Sequence, residues 1–419
     1  MTDKLFFNRD TRVFVRLSDY FWEIPVLDGF SFSQATNATE ITLNEMDNAT
    51  TGSRRARQMF NDSYAPAEWS FSSYARPRYA SSKNRSAEEV LWALLAGPAS
   101  WDNTNKDFES GTTPYITQTA GSNQGYQKID FTKSNTSTLG TADIYFVLGA
   151  NNIHADGADK EVVAYRIEDC CVNEASFDFD VEGLATINWS GFGKLITEVP
   201  AFVGASASMT DAHTAPGVGV VAAAGATESA PEVIISKTNN FATKYAAVTS
   251  IAELADADTY IRNKLSFLTV TDKGNANTVY EVVMTGGNLT VNNNITYVTP
   301  ETLGVVNQPL GHVTGTRTVS GNVTCYLSVD GASDNASTDL FEQLVEDTAT
   351  VTQNYELIMN IGHEPDQATQ DPCIQFRLPK CHLELPTHSF EDVISLETNF
   401  HALPSNIDSA DELEVRYAG

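Results

Sequence analysis

Basic residues are scarce in this 419-residue chain: 26 Lys and Arg stand against 54 Asp and Glu, for a net charge of −28. A protein that grips nucleic acid needs clustered cations to neutralise phosphates, so the composition argues against that class. The deficit is uneven. Residues 1–100 hold 11 Lys/Arg against 12 Asp/Glu, a net of −1, and the remaining 319 residues carry −27. Long apolar runs are also missing; none approaches the roughly 20 residues that a membrane-spanning helix requires. Charges interrupt the opening stretch MTDKLFFNRDTRVFVRL, which does not read as a secretory signal, and no membrane partner is expected. The five cysteines (Cys170, Cys171, Cys325, Cys373, Cys381) are odd in number and show no C-x-x-C spacing. They read as reduced thiols.

Catalytic signatures are absent too. There is no G-x-x-x-x-G-K-[ST], G-x-S-x-G or H-E-x-x-H. DFDVEG (178–183) begins like a calcium loop, but its twelfth position is Trp189, where a bidentate Glu is needed. Seven histidines are scattered without metal-ligand spacing. The expectation is no metal, no cofactor and no enzyme activity.

What is present is β-structure. TRVFVRL (11–17), EIPVLDGFSFSQ (23–34), AEWSFSSYARPRY (67–79), DIYFVLGA (143–150) and EVVAYRI (161–167) alternate or run apolar, with β-branched and aromatic residues. One helix interrupts them, SAEEVLWALLAG (86–97). Ser86 and Glu89 have capping-box spacing, and Gly97-Pro98 stops it. The second half follows the same order: KLSFLTVT (264–271), YEVVMTGGNLTVNNNITYVT (280–299), a long loop 300–316, RTVSGNVTCYLSV (317–329), a helix STDLFEQLVEDT (337–348) starting at Ser337 or Thr338, then YELIMNIG (355–362) and CIQFRL (373–378).

Each half closes on an acidic hairpin, FDFDVEGLATINWSGFG (177–193) and HLELPTHSFEDVISLETNFHAL (382–403). Phe177-Asp178-Phe179 matches Leu383-Glu384-Leu385, and Ala185–Asn188 matches Ile394–Glu397. The agreement in element order indicates a tandem duplication of one β-rich unit. The expected boundaries are a first unit at 1–197, an Ala/Gly-rich linker or surface arm at 198–260, and a second unit at 261–419. AAVTSIAELADADTYIRNKL (246–265) reads as a short helix leading into the second unit.

The stretch EIPVLDGFSFSQATNATEITLNEM (23–46) resembles the opening of the major tail tube protein of long-tailed bacteriophages: an apolar strand, a polar hairpin and a long Arg-bearing loop. The element order of both halves and their closing hairpins are similar to that family as well. The resemblance covers residues 4–193 and 264–403. It implies a mainly β fold of two tandem tail-tube-type β-sandwich or barrel units, each with one flanking α-helix. It further implies rings of six units stacked into a tube, with neighbouring sheets joined into one inner barrel. A tape-measure protein and then DNA pass down that barrel, without sequence-specific binding. Two units per chain imply three chains per pseudo-sixfold ring, with six chains as the alternative. The implied partners are the chain itself, the tape-measure protein, and terminator and tip proteins. The implied location is the virion tail, assembled in the host cytoplasm.

On that reading Asp178, Asp180, Glu182, Glu384 and Glu397 line the lumen, where acids repel passing phosphate. The same polar faces would equally suit the outer surface. Arg54, Arg55 and Arg57 in the loop 44–66 would dock on the next acidic ring, or stand in solvent. A different class, a β-rich virion or surface adhesin that binds carbohydrate, would stack sugar on Trp22, Trp69, Trp101 and Trp189. A hydrolase with an unrecognised carboxylate pair is the remaining rival.

Overall fold

The computed structural model describes residues 11–40, 58–80, 83–120, 125–134, 137–148, 163–180, 182–199, 260–274, 278–282, 284–303, 305–328, 336–347, 354–365, 371–390 and 393–419, together with Asn8 and short strands between 201 and 249. The strands needed here are, in the first half, β1 (Arg12–Leu17), β2 (Tyr20–Ile24), β3 (Ser31–Ser33), β4 (Thr36–Glu40), β5 (Met59–Tyr64), β6 (Ala67–Tyr74), β7 (Ala142–Leu148), β8 (Val163–Asp180), β9 (Thr186–Gly193) and β10 (Ile196–Val199). The second half has β11 (Phe267–Asp272), β12 (Thr278–Val282), β13 (Met284–Asn292), β14 (Thr296–Val298), β15 (Gly311–Val313), β16 (Thr318–Tyr326), β17 (Tyr355–Ile361), β18 (Cys373–Leu383), β19 (Thr387–Phe390), β20 (Ile394–Ala402) and β21 (Glu414–Ala418). Two helices, α1 (Glu89–Ala96) and α2 (Ser337–Asp347), follow β6 and β16 respectively.

Strand neighbours run β2-β1-β7-β8-β9-β6-β3 in the first half, all antiparallel. In the second half they run β12-β11-β17-β18-β20-β16-β13, again all antiparallel. The two orders match position for position. β10 lies on the outer edge of β8, and β21 does the same on β18. The register of the match is fixed by a bulge. The β7–β8 ladder shifts between Ala142 and Ile144 and places Cys170 opposite Ala142; the β17–β18 ladder shifts between Tyr355 and Leu357 and places Cys381 opposite Tyr355. Cys170 Sγ donates to the Ile167 carbonyl at 3.3 Å and Cys381 Sγ to the Leu378 carbonyl at 3.9 Å. A weak thiol donor sits at the same turn of the same strand twice.

From Cys170 and Cys381 the correspondence runs at 381 − 170 = 211 residues, which puts Phe177 against His388 and Phe179 against Phe390. This corrects the match of Phe177–Phe179 to Leu383–Leu385. The second hairpin breaks at 384–386, around Pro386, before resuming as β19 with the same residue count along its first arm, so the match by texture is five residues out of step. Leu385, expected in the core, is 49% exposed. The second arm holds as aligned. Phe192 opposite Cys171 and His401 opposite His382 give 401 − 192 = 209, hence Asn188 against Glu397.

The halves share one core and one sheet. β8 pairs β13 antiparallel, Phe177 opposite Leu289 and Asp180 opposite Gly286. Trp92 of α1 packs edge-on to Trp189 at 4.9 Å and lies 6.4 Å from Phe376 of the second half. Its indole donates to the Tyr417 hydroxyl at 2.9 Å. Every residue of α1 is therefore buried, Leu and Ala holding the helix and Gly97 ending it.

The expected capping box is absent. Ser86 belongs to a strand, Lys83–Ser86, and Glu88 precedes the helix without a side-chain cap. Glu89 instead accepts buried bonds from Trp22 Nε1 at 2.9 Å, Gln127 Nε2 at 3.1 Å and the Arg85 guanidinium. At α2 the Asp339 carboxylate accepts the Ala336 N–H at 2.8 Å, a cap supplied from inside the first turn. The described strands at the two long loops pair as β4–β5 and β14–β15, bridged at Ser63 and Asn307. Residues 246–249, read as helix, form a strand that lies parallel to β2.

Candidate functional site

Eight strands line up as β3-β6-β9-β8-β13-β16-β20-β19, four from each half. None of them contains Lys or Arg in this row, β8 being counted from Glu174 onward. Alternation separates two faces. One carries Trp69, Phe71, Trp189, Phe177, Leu289, Val323 and Leu396 into the core. The other carries Ser, Thr, Asn and a few acids: Ser70, Ser72, Asn188, Asp178, Asn288, Asn322 and Glu397 lie along it.

Four acids on this face are held by neutral amides. Asn188 Nδ2 donates to Asp178 Oδ2 at 3.1 Å while its Oδ1 accepts from Ser72 Oγ at 2.6 Å. Asn292 donates to Glu174 at 2.9 Å, Asn322 to Glu397 at 2.9 Å and Asn399 to Glu384 at 2.8 Å. The Asn399 bond, helped by His401 at 3.5 Å, holds the Glu384 carboxyl below the usual range. An amide fixes a carboxylate in place without cancelling its charge, which an Arg or Lys would do.

A scan of protein family models returns no match to the chain. Among curated proteins it is similar to the tail tube protein pb6 of Escherichia phage T5, with 28% identity over 416 residues, 96% of this chain and 74% of pb6. That similarity, which runs along nearly the whole chain, supports a major tail tube protein of a long-tailed bacteriophage. A tail tube protein is a structural component of the virion tail and not an enzyme. The mainly β fold, with two α-helices among the described residues, fits that role.

Within this chain, the structure brings Asp178, Asp180, Glu384 and Glu397 onto one exposed face. Glu182 is exposed but sits in the β8–β9 turn, because the chain has already begun to reverse there. Glu68 and Glu174 join the same face and were missed; the alternation in AEWSFSSY already pointed Glu68 away from Trp69. Arg54, Arg55 and Arg57 lie outside the described residues. The sugar-stacking surface imagined for an adhesin is not there. Trp22, Trp69 and Trp189 are buried, and Trp101 packs edge-on to Trp22 at 5.4 Å. His312 accepts the Leu139 N–H at 3.0 Å, and burial lowers its pKa, so it serves as a neutral core acceptor. Among the described residues no helix is long and apolar enough to cross a membrane.

Proposed function

We propose that this chain is a tandem duplication whose two halves stand as neighbours in a ring, that three chains close a pseudo-sixfold ring, and that stacked rings form a tube with the polar sheet face lining its bore. The observation carrying this reading is the joint between β8 and β13. It joins two copies of one strand order edge to edge within a single chain.

Geometry supports the arrangement. Three chains with eight strands each give 24 strands. At about 4.8 Å per strand and a tilt near 40°, the circumference is roughly 150 Å and the backbone diameter roughly 48 Å. Side chains of about 5 Å on each wall leave roughly 38 Å. Groove depths of about 8 Å on either side imply a duplex roughly 20 Å across, which passes with water around it. A wall of Ser, Thr and Asn with amide-held carboxylates has no cation to bind phosphate. DNA would move through without counterion release to hold it. On this reading Asp178, Asp180, Glu384 and Glu397, with Glu182 at the turn, face the bore. Arg54, Arg55 and Arg57, which lie between β4 and β5 in the sequence, would meet the next ring. Residues 198–260 connect the units. The tape-measure, terminator and tip proteins would be further partners.

Image classification and native mass measurement of isolated rings test the stoichiometry. Three chains per ring are expected. Six chains per ring would overturn the duplication-based closure while leaving the tube intact.

A further inference from the structure

β3 and β19 end the eight-strand row, and among the described residues each has a strand neighbour on one side only. They are the counterparts of the two strands joined inside the chain. β19 matches the Ser176–Phe179 part of β8 by the 211-residue offset. β3 matches β13 through its partner strand: Phe32 lies opposite Trp69 as Leu289 lies opposite Gly321. The offset is 289 − 32 = 257, and VLDGFSFS (26–33) then aligns with VMTGGNLT (283–290), Gly29 on Gly286.

We infer that β19 of one copy pairs antiparallel with β3 of the next, in the register of the internal joint. Phe177 opposite Leu289 becomes His388 opposite Phe32, and Asp178 opposite Asn288 becomes Ser389 opposite Ser31. The occupant of this edge is a second copy of this chain, and the argument for it is exposure. Phe179, opposite Gly287 in the internal joint, is 5% exposed; in the same register Phe390 falls opposite Phe30, so that ring sets beside ring where the internal joint has ring on glycine. Phe390, at the matching position of the second half, is 77% exposed. The helices show the same asymmetry: α1 is buried throughout, while Val345 of α2 is 45% exposed. Whatever covers the first half's site inside the chain is missing from the second half's site, and a neighbouring first half supplies it.

This inference rests on the ring reading but fails separately from it. The test is a double variant, Ser31→Cys with Ser389→Cys, in full-length protein assembled into tubes. Directly opposed residues of antiparallel strands lie about 4.5–5.5 Å apart, within disulfide reach. The five native cysteines are buried and do not compete. Mild oxidation should yield a ladder ending at a closed cross-linked ring on denaturing, non-reducing gels. Ser31→Cys with His388→Cys, one residue out of register and facing the other side, should stay largely uncross-linked. Tubes without cross-links in the first variant, or equal cross-linking in both, would overturn the register while leaving the ring standing. Wild-type protein that forms neither rings nor tubes would overturn both.

Discussion

Truncating the two matched phenylalanines separates folding from assembly. Phe179→Ala removes a ring buried in the internal joint, and a loss of about 3–5 kcal/mol of chain stability is expected. Phe390→Ala removes a ring that is 77% exposed in the single chain, so its unfolding midpoint should move by less than about 0.5 kcal/mol. The difference in exposure between the two positions is 77 − 5 = 72% of the residue. For a side chain of roughly 200 Å² that is about 140 Å², or roughly 3.5 kcal/mol per joint at about 25 cal/mol per Å². Roughly 3.5 kcal/mol corresponds to about a 300-fold change in an association constant. Urea unfolding of unassembled protein reads the first quantity; light scattering against concentration reads the threshold for tube growth. Phe390→Ala protein that assembles at the wild-type threshold would refute the reasoning. Phe390→Ala protein that unfolds as easily as Phe179→Ala would show that its ring is already covered within the chain.

Other outcomes are equally concrete. Glu88 is fully buried beside Tyr417, whose hydroxyl donates to it at 2.5 Å, and burial raises its pKa to about 8. A raised folded pKa favours the fold below the unfolded value and costs stability as pH climbs through about 8. Glu88→Gln, an isostere of the protonated acid, should therefore match wild type near pH 5 and exceed it in Tm above pH 8; equal pH profiles would refute the assignment. Replacing Asp178, Asp180 and Glu397 together with Lys should leave tubes intact and slow DNA release in a salt-dependent way, measured by dye entry during ejection; unchanged release would remove the wall from the mechanism. Reversing Arg54, Arg55 and Arg57 to Glu should leave the monomer folded but shorten tubes seen by negative stain, whereas normal lengths would show that charge does not dock the rings.

The strands and both helices were legible because their periodicity is strong. AEWSFSSY and FDFD sort cleanly into core and solvent faces, and EVLWALLA has no competing pattern. Three features were hidden for physical reasons. The capping box failed because Glu89 is needed by Trp22, Arg85 and Gln127, and only the folded chain shows that these surround it. The first arm of the second hairpin was misaligned because local texture carries no register; the bulges at Cys170 and Cys381 do. The acids of the candidate site were partly found by alternation, but the asparagines that hold them act across strands distant in sequence. Asn292 and Glu174 are 118 residues apart. No window along the chain brings them together.

The joint between β8 and β13 has a consequence for mass action. A ring built from six separate units must form every seam by encounter, and its equilibrium abundance falls as about the sixth power of free subunit concentration. In the proposed three-chain ring, three of the six seams would form as the protein folds, and the dependence would drop to about the third power. Tenfold dilution then costs roughly a thousandfold in rings, where separate units would lose roughly a millionfold. The covalent pairing also fixes the two kinds of half in equal numbers. In such a ring only one of the two seams would arise by collision, so selection on assembly rate would fall on the edges of β3 and β19 and leave β8 and β13 to be shaped by folding alone.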